Sequence, residues 1–419
     1  MGRSRWPPRS SARSPRRRGS WWTGRPLPAA GFCIPGSDPI PLRKPFLVLF
    51  ISVFAATLGL GIIVPLLPIY ATSMGATGLW LGVIFSGYAF SRTIFMPVIG
   101  SLSDRRGRKR LILLGLLLYS LISLAYIGAG SVLSLTVVRV LHGLASAMIV
   151  PVAMAYVADL SRVGSEGRLM GLFTMSLFLG MGLGPFFGGA ILDVAGMDQV
   201  FLAMCALSVF SLLTCMLLLP ESHNQVNTPS SLIPVLRRPR MQAMFFFRFA
   251  NAFALAPFLV FFSMIATVRF GLSATEVGLI ISTTMLIMAA GQGFFGALAD
   301  RWPRSLLIAG GSVLTALPLL AIPYLPDFFL LLGAAAVMGT GNAMSIPAAT
   351  AEVTADGRAT GQGAAMGAFN MAMSLGMLIA PVLFGLVMDW WSLESVFTLA
   401  GVISLGAVAV FLMLARRVS

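Results

Sequence analysis

Apolar residues run along this chain in stretches broken by short polar links, and a membrane-spanning helix needs about 20 of them. Runs of that length fall at 45–70, 79–101, 111–129, 132–158, 169–191 and 200–219, and then at 241–268, 275–298, 305–324, 328–350, 364–388 and 395–415. Twelve spanning helices are therefore expected, six on either side of PESHNQVNTPSSLIPVLRRPR, the longest polar interruption after the first 44 residues. That segment divides the chain into a bundle over 45–219, a linker over 220–240 and a second bundle over 241–419.

The two halves share a register. GSLSDRRGRKRLI around Asp104 returns as GALADRWPRSLLI around Asp300, an offset of 196. The same offset pairs Gly82 with Gly278, Gly143 with Gly339, Pro151 with Pro347, Pro185 with Pro381 and Asp193 with Asp389. Six helices per half place equivalent residues on one side of the membrane, so the halves are parallel repeats about an axis along the membrane normal. Paired bundles of this kind form a site between them and rock around it.

Composition fits a chain that lives in lipid. Hydrophobic residues make up 57% and charged residues 10%, with mean hydropathy +0.90, whereas soluble domains carry roughly 25% charged residues. The net charge of +15 is no nucleic-acid signature: ten of the 29 Lys and Arg lie in the first 44 residues, and most others sit in short links. With the N-terminus inside, one set of links collects Arg105, Arg106, Arg108, Lys109 and Arg110, then Arg162 and Arg168, Arg237, Arg238 and Arg240, Arg301 and Arg304, Arg358, and Arg416 and Arg417. The other set keeps Arg269 among acids, which predicts cytoplasmic termini in a multi-pass protein of the cell membrane. Residues 1–44, rich in Arg, Pro, Ser and Gly, read as a disordered cytoplasmic tail.

Cys33, Cys205 and Cys215, with only His142 and His223, provide no disulfide framework and no clustered metal ligands. No nucleophile and base stand at a recognisable spacing either. Neither an enzyme nor a bound cofactor is expected; the partners are a small-molecule substrate, protons and the lipid bilayer, with the chain working as a monomer and a proton gradient as the energy source.

Gly100, Leu102, Asp104, Arg105, Gly107, Arg108 and Lys109, between the second and third spans, resemble the signature loop of the major facilitator superfamily, and Asp300 and Arg304 echo it in the second half. The resemblance implies the major facilitator fold, an all-α integral membrane protein of twelve helices in two six-helix pseudo-repeats. It also implies a cytoplasmic latch in which Asp104 meets the start of span 11, near Gly361 to Ala364. A bridge from Arg108 to Asp159, at the end of span 4, is expected beside it. Gly107 permits a tight turn, and the carboxylate of Asp104 suits a helix N-terminus.

Span 5 reads GLFTMSLFLGMGLGPFFGG, and its Gly171, Gly180, Gly184, Pro185, Gly188 and Gly189 match the antiporter motif of drug:proton exporters in that family. Glycines at 180, 184 and 188 share one face, which lets two helices touch backbone to backbone; in the resemblance this face seals span 5 against span 8. Span 11 has Ala380 and Phe384 where Gly184 and Gly188 stand, so an asymmetric seal is expected. In span 4, Arg139, Gly143, Ala147 and Pro151 resemble a second motif whose arginine is implicated in proton transfer. Arg139 lies roughly 10 Å below the outer end at 1.5 Å per residue, where an arginine costs about 2.5–3.5 kcal/mol on insertion scales and needs a cavity or a partner. His142, one turn on, titrates near neutral pH in its ordinary state, and the two form the proton-coupling candidates.

One expected feature is missing. Many drug:proton exporters carry an acid within span 1 or span 4, and this chain has none there. The charges inside the spans are Arg92, Arg139 and Arg248, all positive, which disfavours a polycation and suits an anionic or neutral amphipathic substrate. Arg92 and Arg248 are also expected within snorkelling reach of the cytoplasmic side. Further cavity candidates are Asn251, Gln292, Asn342 and Asn370, with Phe258, Phe261, Met344, Met371 and Met373 as adaptable walls. The expected function is proton-coupled export of a small hydrophobic or amphipathic compound by alternating access. Uptake or facilitated diffusion of a metabolite is the alternative, and a non-transporting membrane sensor is a third reading.

Overall fold

The computed structural model describes residues 44–160, 166–221, 235–357 and 362–416. Twelve helices among them are long and apolar enough to cross a membrane. They are α1 (Lys44–Ile63), α2 (Gly78–Arg106), α3 (Arg108–Ile127), α4 (Val132–Leu160), α5 (Glu166–Ala195), α6 (Met197–Leu218), α7 (Pro239–Val268), α8 (Ala274–Ala299), α9 (Arg304–Ala321), α10 (Phe328–Gly357), α11 (Gln362–Trp390) and α12 (Leu393–Arg416). The tail before Lys44, most of the linker and the residues Arg162, His223, Arg358 and Gly361 lie outside the described residues.

The ends of the helices follow local chemistry. The first apolar run breaks: α1 stops at Ile63, and a short helix, Leu67–Ser73, carries on after a turn. Pro65 and Pro68 cause the break, since proline lacks an N–H and crowds the carbonyl four residues back. Between α2 and α3 stands Gly107 alone, at φ +95°, and Gly196 joins α5 to α6 at the same φ of +95°. Only glycine adopts that conformation freely. At the start of α8, Ser273 and Glu276 form a reciprocal capping box, satisfying two helix-terminal donors at once.

Packing repeats between the halves. In the first, α1 lies on α5 and α6, α4 on α2 and α3, and α3 on α6. In the second, α7 lies on α11 and α12, α10 on α8 and α9, and α9 on α12. The halves meet through α5 against α8 and α2 against α11. Large apolar side chains such as Phe90 and Ile94 of α2 and Phe210 and Leu217 of α6 face outward, the arrangement lipid favours and water does not. Lys44 and Arg416 mark one face of the bundle, the termini side; Gly78, Ala195, Ala274 and Trp390 mark the distal side.

Candidate functional site

On the distal side, each half caps a helix of the other. The carboxylate of Asp389, at the end of α11, accepts from the backbone N–H of Gly78 at 2.6 Å and of Leu79 at 2.8 Å, the first residues of α2. Its repeat mate Asp193, at the end of α5, accepts from Ala274 N–H at 3.1 Å, Thr275 N–H at 2.8 Å and the Thr275 hydroxyl at 2.5 Å, at the start of α8. A helix N-terminus has unpaired N–H groups and the positive end of the macrodipole, so an aspartate there is held by both. One to two turns deeper, backbones touch: Gly82 lies on Pro381 and Val382, Gly278 on Pro185, Gly189 on Ala274 and Gly385 on Gly78. The hydroxyl of Ser86 donates to Leu378 O at 2.5 Å, and Phe186 N–H donates to Ser282 Oγ at 3.1 Å.

This geometry corrects the reading of the glycine motif. Gly180, Gly184 and Gly188 do not face α8. They seat α5 on α1 of the same half, against Phe54 and Thr57, Gly61 and Ile62 in turn. One stripe at four-residue spacing can face only one neighbour; α8 is met by the adjacent stripe of Gly182, Pro185, Gly189 and Asp193. Gly171 has open space around the position of a Cβ. The asymmetry expected from Ala380 and Phe384 lies inside the halves too, because Phe384 is buried against Phe253 of α7 with ring centroids 5.2 Å apart. Between the halves the aspartate caps and the glycine contacts repeat two-fold, whereas Ser86 and its repeat mate Ser282 bond differently.

Toward the termini side the halves part. Every hydrogen bond between described residues of the two halves lies distally. Gly100 of α2 and Gly293 of α8, on the stripes that meet the other half distally, have nothing near the position of a Cβ.

Of the latch residues, Arg108 and Asp159 form a largely buried ion pair joining α3 to the end of α4. Gly107 lies against the carboxylate of Glu221, which also accepts from Lys109 N–H at 2.9 Å. Arg105 and Asp300 are exposed. The side chain of Asp104 lies outside the described residues, so its meeting with α11 does too. In the second half Arg304 pairs with Glu352 at 3.1 Å and donates to Ala299 O at 3.3 Å. Glu352 escaped the sequence reading because it stands one turn before Ala355, the repeat mate of Asp159, on the same helix face.

Arg139 and His142 face each other inside the first half, away from the gap. Nδ1 of His142 lies 3.0 Å from the Tyr126 hydroxyl and 3.4 Å from Nη1 of Arg139. Tyr88, Tyr119 and Tyr126 stand edge-on around the imidazole at 5.4, 4.5 and 5.8 Å between centroids. The guanidinium lies 4.7 Å from the Tyr88 ring centroid and 5.1 Å from that of Phe85, a cation–π seat. Both residues are buried, and Nε2 of His142 and Nε of Arg139 have no partner.

The cavity candidates separate. Asn342 is fully buried: its carbonyl accepts from Asn251 at 2.9 Å and its amide donates to Met338 O at 3.0 Å, so its groups are spent inside the second half. Asn251 lines a crevice among α7, α9 and α12 with Ser312 and Thr315, and Phe258 and Phe261 are core residues. Gln292 and Asn370 are half-buried. Arg248 donates to Asn251 Oδ1 at 3.3 Å and to the Met373 sulfur at 2.7 Å, and stacks over Phe369 at 5.3 Å. Arg92 hydrogen-bonds no described residue. Because α2 runs on to Arg106, Arg92 lies in its middle and outside snorkelling reach.

Twelve membrane helices in two packed halves, closed against each other at one end and parted at the other, define a membrane transport protein. The family model of the Major Facilitator Superfamily matches residues 49–268 and 244–419, and the chain belongs to that family. It is 28% identical over 373 residues to an uncharacterized MFS-type transporter of Methanocaldococcus jannaschii, covering 87% of this chain and 96% of that one. It is 28% identical to multidrug resistance protein 2 of Bacillus subtilis, covering 82% and 88% of the two chains, and 24% identical to quinolone resistance protein NorA of Staphylococcus aureus, covering 88% and 97%. Among solved structures, a bacterial homolog of the human lysosomal transporter Spinster aligns with TM-score 0.77 at 15% identity, covering 88% of this chain and 96% of that one. The human organic anion transporter MFSD10 (TETRAN) aligns with TM-score 0.67 at 18% identity, covering 89% and 100%.

Proposed function

We propose that this transporter exports a small hydrophobic or amphipathic compound in exchange for protons, by alternating access, with both termini in the cytoplasm. The observation that carries alternating access is the one-sided contact: the halves are locked distally by Asp193 and Asp389 and parted on the termini side. With cytoplasmic termini, as the Lys and Arg distribution supports, this is the state that admits a substrate from the cell. The resistance proteins among its relatives support export. Arg139 and His142 are the proton-coupling groups in this reading, His142 bearing the one imidazole among the described residues and standing beside a fixed positive charge.

Everted vesicles with an acid interior test it. A lipophilic fluorescent dye is expected to accumulate only while the gradient stands, and its entry is expected to speed the loss of the gradient. Accumulation indifferent to the gradient would overturn exchange and favour facilitated passage, the reading that the lack of a carboxylate in spans 1 and 4 supports.

A further inference from the structure

We infer that the gap between the halves is a binding site for an organic monoanion, a carboxylate or sulfonate on an apolar body, held by Arg92 from the first half and Arg248 from the second. The inference rests on the transport reading above and adds the substrate class to it.

The charges in the spans are one-sided. Among the described residues the deepest carboxylate is that of Glu352, five residues from the end of α10 at Gly357, and it is already paired with Arg304. The other acids stand closer to helix ends, as Asp159, Asp193 and Asp389 do with their own partners. Arg92 stands fourteen residues from either end of α2, at Gly78 and Arg106, about 21 Å of helix each way, or roughly four turns. That is farther than its side chain spans. Arg248 stands nine residues inside α7 from Pro239, about 13 Å at 1.5 Å per residue.

Both arginines turn toward the gap. Gly78, Gly82 and Ser86 give one side of α2 to α11, and Tyr88 and Ser91 give another to α4. At 100° per residue Arg92 falls between these two directions, opposite the exposed Phe90 and Ile94. On α8, Gly278 and Ser282 face α5, Gly291 faces α10, and Gln292 falls between, opposite the exposed Phe294, with its amide nitrogen unpartnered. On α7, Phe247 and Asn251 line the crevice with α9 and α12, Phe249 and Phe253 face α11, and Arg248 falls between these directions with Phe369 and Met373 against it.

Neither guanidinium has a carboxylate partner among the described residues. Each presents five N–H donors; those of Arg92 reach no described residue, and those of Arg248 reach an amide oxygen and a thioether, with Nε of both unpartnered. A planar donor fork matches a carboxylate or sulfonate edge, and the aromatic and thioether surface beside Arg248 suits an apolar body. A cation would add a third uncompensated charge to this gap.

Three dansyl probes with one fluorophore and different charge test the site: dansylglycine (anion), dansylglycinamide (neutral) and dansylcadaverine (cation). Binding to the full-length protein in lipid nanodiscs is read by energy transfer from tryptophan. Dansylglycine is expected to bind at least tenfold tighter than the other two. Arg92→Gln and Arg248→Gln are each expected to cut its affinity tenfold or more and to leave dansylglycinamide unchanged, while Arg→Lys at either position keeps the charge preference. Both Gln variants are expected to melt no lower than the parent, since each removes an uncompensated charge. If a Gln variant does not insert, the Lys variants decide through loss or retention of the preference. Equal binding of the three probes, or a preference that survives both Gln changes, overturns the site. The readout uses no gradient: anion preference without gradient-driven transport would sink the exchange reading alone, and gradient-driven transport without anion preference would sink the site alone.

Discussion

Asp389 caps the helix that begins at Gly78, 311 residues earlier in the chain. The contact joins the end of α11 in the second half to the start of α2 in the first, and Asp193 makes the matching contact with α8. These two carboxylates must leave their helices if the distal side is to open. They are a lock that any return stroke has to break.

Removing the lock should shift the conformational balance. A side-chain cap at a helix N-terminus is worth about 1 kcal/mol, so Asp193→Ala with Asp389→Ala should weaken the distal-closed state by about 2 kcal/mol, roughly thirtyfold in population. Spin labels at the exposed Val194 and Val268, in a cysteine-free background, should then show a longer distance becoming dominant. An unchanged distribution would show that the glycine contacts alone keep the distal side closed.

The glycine motif should split into two classes under substitution. A Cβ at Gly184 would lie 2.5 Å from Cα of Gly61, where no side chain can swing away, so Gly184→Ala should cost about 1–3 kcal/mol as overpacking. Gly171→Ala meets open space and should leave the melting temperature within a degree or two of the parent. Thermal unfolding in one detergent compares the two directly, and equal effects would contradict this packing.

At the termini side the two ion pairs should differ in worth. Arg108 and Asp159 have side-chain exposures of 10% and 11%, whereas Arg304 is 30% exposed against 8% for Glu352. Breaking a buried pair strands a charge and costs about 3–5 kcal/mol. Asp159→Ala should therefore approach that cost, and Glu352→Ala should fall well short of it because water reaches Arg304. Denaturation midpoints in the same detergent report the ranking.

His142→Gln tests the proton assignment. Glutamine offers an acceptor to Tyr126 and Arg139 and carries no titratable proton, so the fold and dye binding should persist while gradient-driven dye accumulation is lost. Accumulation at the parental rate would move the proton site elsewhere in the molecule.

The sequence carried the repeat in more detail than the 196-residue offset displays. Gly100, Asp104 and Gly107 share their spacing with Gly189, Asp193 and Gly196, and Gly107 and Gly196 share φ +95°. The second half repeats the Gly and Asp at Gly296 and Asp300 and at Gly385 and Asp389. Compared span for span, Asp193 reads as a loop acid, because nothing local says that the helix it caps begins 81 residues later.

What the sequence determined by itself was whatever rests on local chemistry. Run length and loop charge yield twelve spans and their expected orientation, proline breaks α1 and glycine turns α2 into α3. The tertiary structure decided which neighbour each face meets. A stripe of glycines announces close packing without naming its partner, and α1, not α8, fills the stripe at Gly180, Gly184 and Gly188. The same holds for polar groups: Asn342, Arg92 and Arg248 look alike as isolated polar residues within apolar runs, yet the first is satisfied inside its half, while Arg92 bonds no described residue and Arg248 is left with an unpartnered Nε. Partner identity is a property of helices brought together from distant parts of the chain, and no window along the sequence contains it.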